Sequence, residues 1–214
     1  MPPYPVIQRL PRYLSHVMEL KASDVEWVSS VHLSKALGLT ASTIRQDLSH
    51  LDLEGVSKRG YRRDELEVAL RTELQMDRVH RVAIVGAGHL GRALALHGDL
   101  QRYGYAVCAL FDVNSDIIGS QVGNLTIHGM DSLAEVVKAK DIDMAILSVP
   151  PSAAQDVANH LVDAGVKGLM NLAYCVLQVP EDVILVDVRL LSSLQELAYM
   201  MRRQREEVAE GGLG

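Results

Sequence analysis

Apolar and polar positions follow two different patterns along the chain. Up to about residue 76, apolar residues recur every three or four positions, which indicates short amphipathic helices. From residue 77 onward, short apolar runs alternate with helical stretches, which is typical of a parallel sheet covered by helices. We therefore predict an α/β protein with one domain over residues 1–76, a second over 77–188, and a C-terminal helix and tail over 189–214.

The first domain contains two helices joined by a glycine turn. Leu33, Ala36 and Leu37 form an apolar stripe on the first of them. Gly38 can supply a tight turn, and Thr40 can cap the second helix. An opening core helix precedes this pair, with apolar residues at Leu10, Leu14 and Val17. The order predicts a helix-turn-helix unit.

The second helix of this unit has one apolar and one polar face. Ile44, Leu48 and Leu51 lie on the apolar side. The candidate DNA-reading residues are Ser42, Thr43, Arg45, Gln46 and Ser49. Arginine and glutamine side chains can reach guanine and adenine edges, and serine can reach a base or a phosphate, so this face suits the major groove. The helix pattern alone also allows a plain surface helix.

A short basic hairpin follows the second helix. The segment LEGVSKRGYRRDEL places two glycines around a basic pair, and we expect the hairpin tip at Ser57 to Gly60. Lys58 or Arg59 could enter a narrow minor groove, where the negative potential is greatest, which would make the hairpin a wing. Asp64 is predicted to cap the next helix. By composition alone, a solvated charged turn remains open.

The charge is distributed unevenly between the two domains. Residues 1–76 contain ten Lys/Arg and ten Asp/Glu, so the net charge of -6 belongs to the rest of the chain. A nearly neutral first domain with a local basic cluster is compatible with phosphate contacts. No run of eighteen apolar residues occurs and the start is polar, so we expect a cytoplasmic protein without a membrane partner.

The second domain begins with the pattern of a dinucleotide-binding unit. In RVAIVGAGHLGRALALHG, an apolar run leads into the loop Gly86, Ala87, Gly88, His89, Leu90, Gly91 and then into a helix. The three glycines serve the tight turn, the approach of a pyrophosphate and close helix packing. The second strand, YAVCALFD, ends at Asp112, next to Val113, and the carboxylate can accept both ribose hydroxyls, which favours NAD over NADP.

Two later strands are expected to end beside the same ligand. Apolar runs at 142–149 and 166–170 indicate strands, and another is predicted at 183–186. The first two lead into Ser148, Val149 and Pro150 and into Asn171, Leu172 and Ala173. Ligands of open parallel sheets lie at the carboxyl ends of the strands, so these segments should approach the nicotinamide half.

The tail is predicted to be a helix from Leu190 to Val208. Leu190, Leu194, Leu197 and Met201 recur at core spacing after the sheet is complete. The apolar side could pack on a second subunit, as a swapped helix in a two-fold dimer, or fold back on its own domain. The periodicity does not decide between them.

These features in this order resemble the Rex family of redox-sensing transcriptional repressors. The matching segments are IQRLPRY, SSVHLSKALGLTASTIRQDLS, RVAIVGAGHLGRAL, FDVNSDIIG, SVPPSAAQ, AGVKGLMNLA and VDVRLLSSLQELAYM. The resemblance implies a homodimer whose winged-helix domains bind palindromic operator DNA and whose Rossmann domains bind NADH or NAD+, with NADH releasing the DNA. It also implies a swapped C-terminal helix beside the other subunit's nicotinamide region. Arg9 and Asp187 become candidates for a charge pair, between subunits, that holds one quaternary state.

The chain departs from the family pattern at several positions. The usual wing GKRGVGY is here GVSKRGY, preceded by Asp52 and Glu54, so the basic pair is displaced. A lysine expected after the FD segment is replaced near Ile117, and an aromatic residue expected after the first Rossmann helix is His97. The NFAP-like segment is NLAY at residues 171–174. The fold is expected to be unaffected, whereas operator choice and NADH response are open.

Two other functions fit parts of the sequence. An NAD-dependent oxidoreductase would need a proton donor or base, but no tyrosine has a lysine four residues later and no second substrate domain follows. We therefore predict no catalytic residues and, since no His/Cys ligand spacing occurs, no metal. An NAD(H)-binding regulator with altered or lost DNA binding, acting on a protein partner, remains an alternative because the wing differs.

Overall fold

The computed structural model describes residues 2–211. The chain divides into two compact units, Met1–Val79 and His80–Gly214. The last three residues of the predicted tail lie outside the described ones. Within the described residues, no helix is both long enough and apolar enough to cross a membrane.

The first unit is a small helical bundle with a two-stranded sheet. Its elements are α1 (Tyr4–Ile7), α2 (Leu10–Leu20), a short 3₁₀ helix (Lys21–Ser23), β1 (Trp27–Val28), α3 (Ser30–Leu37), α4 (Ala41–Leu48), β2 (Tyr61–Arg62) and α5 (Arg63–Glu73). The two strands pair antiparallel, with Trp27 opposite Arg62 and Val28 opposite Tyr61. This arrangement of helices and hairpin is a winged helix-turn-helix.

Local signals fix the turn between α3 and α4. The Ser29 hydroxyl accepts a bond from the His32 N–H, and the Thr40 hydroxyl accepts one from the Thr43 N–H, each at 3.0 Å. Gly38 ends α3 with φ of 68°, in the left-handed region. The turn therefore forms as the sequence predicts.

The core of the first unit is built from the apolar faces of these helices. Leu33, Ile44 and Leu48 are buried in one cluster with the core residues of α2 and α5. Two expectations were wrong. Ala36 is exposed, and the buried side of α3 is formed by Leu33 and Leu37. Asp64 does not cap α5; it lies in the first turn, where its charge still favours the positive end of the helix dipole.

The second unit is a seven-stranded sheet with helices on both faces. Its strands are β3 (His80–Val85), β4 (Tyr105–Asp112), β5 (Gln121–Val122), β6 (Leu125–Gly129), β7 (Met144–Leu147), β8 (Gly168–Asn171) and β9 (Ile184–Asp187). Its helices are α6 (His89–Ala95), α7 (Gly98–Arg102), α8 (Leu133–Ala139), α9 (Pro151–Asp163) and α10 (Leu190–Gly211), with a 3₁₀ turn at Met130–Ser132. The strand order is β5-β6-β4-β3-β7-β8-β9, and only β5 is antiparallel to its neighbour.

The sheet is buried on both faces because its strands alternate between two cores. In β3, Ala83 and Val85 belong to one cluster, which also contains the inner face of α9. Val82 and Ile84 belong to the cluster on the opposite face. The connections run outward from β3 in one direction and from β7 in the other, so the order reverses between these two strands. This is the doubly wound Rossmann arrangement predicted from the sequence.

The sequence missed several short elements. The strands β5 and β6 and the helices α7 and α8 were not predicted. The strand expected over 142–149 is limited to β7, and its flanking residues form loops.

The helix α10 does not bury its apolar side within the chain. Leu190 is 74% exposed, Leu194 is 54% exposed and Leu197 is 53% exposed. Of the two alternatives that the periodicity left open, folding back on its own domain is not what the described residues show.

Candidate functional site

The glycine loop after β3 is shaped by close backbone contacts. A Cβ on Gly86, which has φ of 100°, would overlap the Ser148 carbonyl oxygen, and one on Gly91 would overlap the Gly86 carbonyl oxygen. A Cβ on Gly88, in contrast, would meet no atom within 4 Å. Two of the glycines are therefore needed for packing, while the third leaves open space above the loop.

Asp112 ties the end of β4 to this loop. One carboxylate oxygen accepts a hydrogen bond from the Ala87 N–H at 2.6 Å, and the other accepts one from the Asn114 N–H at 2.9 Å. Each carboxylate oxygen has a second acceptor position, so two hydroxyl groups can still be bound. The neighbouring side chain, Val113, is 81% exposed.

The ends of β7 and β8 lie next to the loop in the order of the sheet. The Ser148 N–H donates to the Val85 carbonyl at 2.8 Å, and the Leu172 N–H donates to the Leu147 carbonyl at 3.0 Å. Val149 packs against the core, and Pro150 directly precedes α9, where its carbonyl accepts a bond from the Ala153 N–H at 3.0 Å. The structure thus brings the loop, Asp112 and both predicted segments to the carboxyl edge of the sheet.

Asn171 organises the end of β8. Its side-chain N–H groups donate to the Cys175 carbonyl at 3.0 Å and to Asp187 at 2.7 Å, and its oxygen accepts from the Ala173 N–H at 3.0 Å. It is buried, and its amide is occupied by the protein. Its role within one chain is to hold the 171–175 turn and the end of β9 together.

These residues fit a dinucleotide. Open space over Gly88 lets a pyrophosphate approach the backbone, His89 and Leu90 are exposed at the start of α6, and Asp112 presents acceptors for ribose hydroxyls. Among residues 2–211, no group of three or more His, Cys, Asp or Glu side chains is placed to hold a metal ion.

The helix α4 presents a polar outer face. Ser42, Arg45, Gln46 and Ser49 are exposed, and Thr43 is half-buried, with its hydroxyl 2.8 Å from that of Thr40. The Arg45 guanidinium donates to the Ser30 hydroxyl at 3.1 Å, which holds it across the start of α3. The face therefore offers one cation and several neutral hydrogen-bonding groups, the set that base edges in the major groove require.

The inner side of α4 carries a charged residue that sequence reasoning missed. Asp47 is 2% exposed, and its carboxylate accepts two bonds from the Arg9 guanidinium, at 2.6 and 2.7 Å, and one from the Tyr13 hydroxyl. A charged residue between Ile44 and Leu48 on an apolar face was the available signal, because a buried carboxylate needs a partner. Arg9, which directly precedes α2, and Tyr13, which lies within α2, are the partners of this carboxylate.

The pKa values of this group follow from its contacts. Burial alone would raise the pKa of Asp47, but the hydrogen bonds from Arg9 and Tyr13 and the charge of Arg9 outweigh it, so the pKa lies below its usual value. Burial and the bond to Asp47 raise the pKa of Tyr13 to about 12. The carboxylate is ionised and the phenol neutral at physiological pH.

The hairpin after α4 has the predicted tip. The Val56 N–H donates to the Gly60 carbonyl at 2.7 Å, and the Gly60 N–H donates back at 2.9 Å. Lys58 and Arg59 are exposed on the turn between them. The two candidate wing cations therefore stand at the end of a closed hairpin.

The proposed partners Arg9 and Asp187 have other contacts within one chain. Arg9 binds Asp47, while Asp187 accepts from Asn171 and lies 3.3 Å from the Arg189 guanidinium. A pair between two subunits is not tested by a single chain, and it stays a prediction.

Comparison with known proteins gives consistent matches over the whole length. Family models described as a putative DNA-binding protein N-terminus and a CoA binding domain match residues 3–49 and 77–175. The chain is 38% identical to the redox-sensing transcriptional repressor Rex of Clostridioides difficile (strain 630), over 92% of this chain and 94% of that one. It is 36% identical to the protein of the same name from Caldicellulosiruptor saccharolyticus, over 96% and 94% of the two chains.

Solved structures show the same similarity. The crystal structure of RSP, a Rex-family repressor, superimposes with a TM-score of 0.88 at 34% identity, over 100% of this chain and 99% of that one. The complex of RSP with β-NAD+ and operator DNA gives a TM-score of 0.90 over 99% and 98% of the two chains. The complex with β-NADH gives 0.88.

Proposed function

The chain belongs to the Rex family of redox-sensing transcriptional repressors, and we propose that it binds operator DNA as a homodimer and releases it when NADH occupies the second unit. The observation that carries this is the presence, in one chain, of an exposed polar face on α4 and an open glycine loop beside Asp112. The relatives are named as repressors and not as enzymes, so oxidoreductase activity is set aside. We place its action in the cytoplasm, where the DNA and the nicotinamide pool are.

The ligand of the second unit is NADH or NAD+. Gly88 and the backbone around it would receive the pyrophosphate, Asp112 would bind the adenosine ribose, and the 148–150 and 171–173 segments would face the nicotinamide half. Support comes from the open space at Gly88 and from the free acceptor positions on Asp112. Reduction removes a positive charge from the nicotinamide ring, which is the difference that a partly buried pocket can distinguish.

The ligand of the first unit is palindromic double-stranded DNA. The α4 side chains Ser42, Arg45, Gln46 and Ser49 would read the major groove, and the basic hairpin tip would reach the adjacent minor groove. The crystal of RSP with operator DNA supports this assignment because the folds superimpose over nearly the full length. A two-fold dimer matches a palindrome, with one recognition helix for each half-site.

Dimer formation is proposed to bury α10. Its leucines are more than half exposed in the single chain, and a monomer would leave them in water. Exchange of this helix between subunits would cover them and connect the two nucleotide-binding units. Leu194→Lys combined with Leu197→Lys is expected to give monomers in sedimentation equilibrium, while Glu196→Lys, on the same helix, leaves the dimer intact. A dimer that survives the double leucine change would contradict this interface.

Release of DNA requires NADH to favour one state of the dimer over the other. Moving a two-state population from 99:1 to 1:99 needs about 5.5 kcal/mol of differential binding, shared here between two sites. NAD+, if bound equally well by both states, would shift nothing, which is the thermodynamic condition for a sensor of the NADH/NAD+ ratio.

The test is selection of bound sequences from random DNA, followed by binding measurements on the selected site with NAD+ and with NADH. We expect a palindromic consensus and weaker binding with NADH. Arg45→Ala should abolish specific binding while NADH fluorescence titrations remain unchanged. Equal binding with both cofactors would refute the redox response.

Absence of any selected sequence would instead favour the second candidate, an NAD(H)-binding regulator that acts on a protein partner. The displaced basic pair of the wing is the observation that keeps this candidate open.

A further inference from the structure

The only tryptophan of the chain, Trp27, lies within cation–π distance of two arginines of the wing. The Arg59 guanidinium carbon is 5.1 Å from the centre of the Trp27 ring, and that of Arg62 is 5.9 Å away. The ring is half-buried at the start of β1, directly opposite Arg62 in the strand pair. Both distances are within the range in which a cation is attracted by the face of an indole.

The two arginines differ in what else holds them. Arg62 lies 3.6 Å from Glu26 and 3.7 Å from Glu65, so its donors face carboxylates. Arg59, within residues 2–211, has no carboxylate within ion-pair distance. A guanidinium held beside an aromatic ring by a cation–π contact does not use up its N–H donors, since the ring accepts no conventional hydrogen bond from them. Arg59 is thus held in place while its donors stay free.

The backbone of the wing fixes where Arg59 and Lys58 stand. The Arg59 N–H donates to the Val56 carbonyl at 3.0 Å, which closes the tip. Gly60, with φ of 94°, lies so close to the Val28 carbonyl that a Cβ would overlap it. Lys58 occupies the outermost turn position with φ of 65° and, in the described part of the chain, forms no ion pair. Arg59 is therefore held beside the ring, whereas Lys58 is exposed at the turn.

From this arrangement we propose that Trp27 is a positioning residue of the DNA interface: it holds Arg59 to donate to a DNA phosphate and leaves Lys58 as the wing side chain in the minor groove. This rests on the proposed function, since it presupposes DNA binding. A phosphate oxygen accepts the planar donors of a guanidinium, and holding the side chain in advance reduces the entropy lost on binding. A cation that enters the narrow minor groove must be free of ion pairs within the protein. In the described residues, Lys58 meets this condition.

A double-mutant cycle on the full-length dimer tests the coupling of Trp27 and Arg59. The affinity of the wild type and of Trp27→Leu, Arg59→Ala and the double variant is measured with the selected operator by fluorescence anisotropy. If Arg59 must be ordered only on binding in each of two wings, the added ordering cost predicts a roughly 5- to 150-fold loss for Trp27→Leu. Arg59→Ala should then cost much less in the Trp27→Leu background than in the wild type. Additive losses would overturn the proposal.

Matched variants separate positioning from a general loss of structure. Arg62→Ala removes the other arginine on the same ring and should change affinity less than twofold, because its donors already face carboxylates. Trp27→Phe keeps an aromatic face and should retain more affinity than Trp27→Leu. If Trp27→Leu unfolds by circular dichroism, the comparison of Trp27→Phe and Arg59→Lys replaces it: each should lose affinity, and the pair less than the sum.

The dependence of DNA affinity on salt and on operator sequence distinguishes the role of Arg59 from that of Lys58. Arg59→Ala should lower the slope of log K against log salt by about 0.9 for each lost phosphate contact, equally for all operators. Lys58→Ala should reduce the preference for A·T-rich over G·C-rich flanks. The reverse assignment of these two effects would overturn the proposal. Wild-type protein that binds no DNA would remove the proposed function as well, whereas tight wild-type binding unaffected by Trp27→Leu removes only this inference.

Discussion

Replacing Arg9 by alanine tests how much the free energy of unfolding depends on the pairing of the buried Asp47 carboxylate. Arg9 donates two charge-assisted bonds to Asp47, which is 2% exposed, while the Arg9 side chain itself is 26% exposed. Removing one partner of a buried pair costs about 3–5 kcal/mol because the remaining charge is left uncompensated. Since water can reach the vacated position, we expect about 3 kcal/mol.

Protonation sets an upper limit on this loss. A free aspartate with a pKa of about 3.9 can be neutralised at pH 7 for about 4 kcal/mol and at pH 5 for about 1.5 kcal/mol. In the variant, the folded pKa of Asp47 would rise above its unfolded value, so the variant becomes relatively more stable as the pH falls. The difference between wild type and Arg9→Ala should therefore shrink between pH 7 and pH 5.

The assay is urea unfolding followed by the emission of Trp27, which belongs to the same compact unit as Asp47. Wild type and variants are compared at equal protein concentration. Arg9→Met with Asp47→Leu and Tyr13→Phe removes both charges and the hydroxyl that would lose its acceptor, and should recover most of the stability. An Arg9→Ala protein within about 0.5 kcal/mol of the wild type at pH 7, or a loss that grows toward pH 5, would refute the reasoning.

Other outcomes follow from the same structure. Gly91→Ala should lower the thermal midpoint and abolish NADH binding, because its Cβ has no room, whereas Gly88→Ala should keep the wild-type midpoint and weaken NADH binding measured by nucleotide fluorescence. Asp112→Ala should weaken NADH binding by about tenfold or more, because hydrogen bonds to a charged acceptor are lost, and should leave operator affinity without cofactor unchanged; unchanged NADH affinity would remove Asp112 from the site. The depressed pKa of Asp47 contributes stability that is present above its unfolded pKa, about 3.9, and lost as the pH falls below it, so the acid transition of the Trp27 signal should flatten in Asp47→Asn.

Much of the architecture was predictable because its signals are local. The caps of α3 and α4, the turn at Gly38 and the strand–loop–helix around Gly86 depend on residues within a few positions of one another. The strands β5 and β6 carried no such signal, since one is two residues long and the other lies between glycines. Their pairing is set by the sheet edge next to β4, which the sequence does not display.

The candidate sites were predictable in outline only. The exposed face of α4 and the carboxyl-edge segments follow from periodicity and from the rule for parallel sheets. The contacts of Asp47 and Trp27 join positions more than thirty residues apart, at Arg9 and at Arg59, and no local pattern connects such pairs. Long-range side-chain contacts of this kind require the fold itself.

Gly60 limits how mutation can change the operator preference of such a regulator. The glycine is locked against the carbonyl of Val28, so any side chain there would push the hairpin off its strand. The three positions before it, Ser57 to Arg59, are exposed, so a new side chain there does not have to fit into a packed core. Single substitutions can therefore change which position of the tip carries a lysine or arginine, and with it the operator preference. The conformation of the hairpin and its contact with Val28 stay the same.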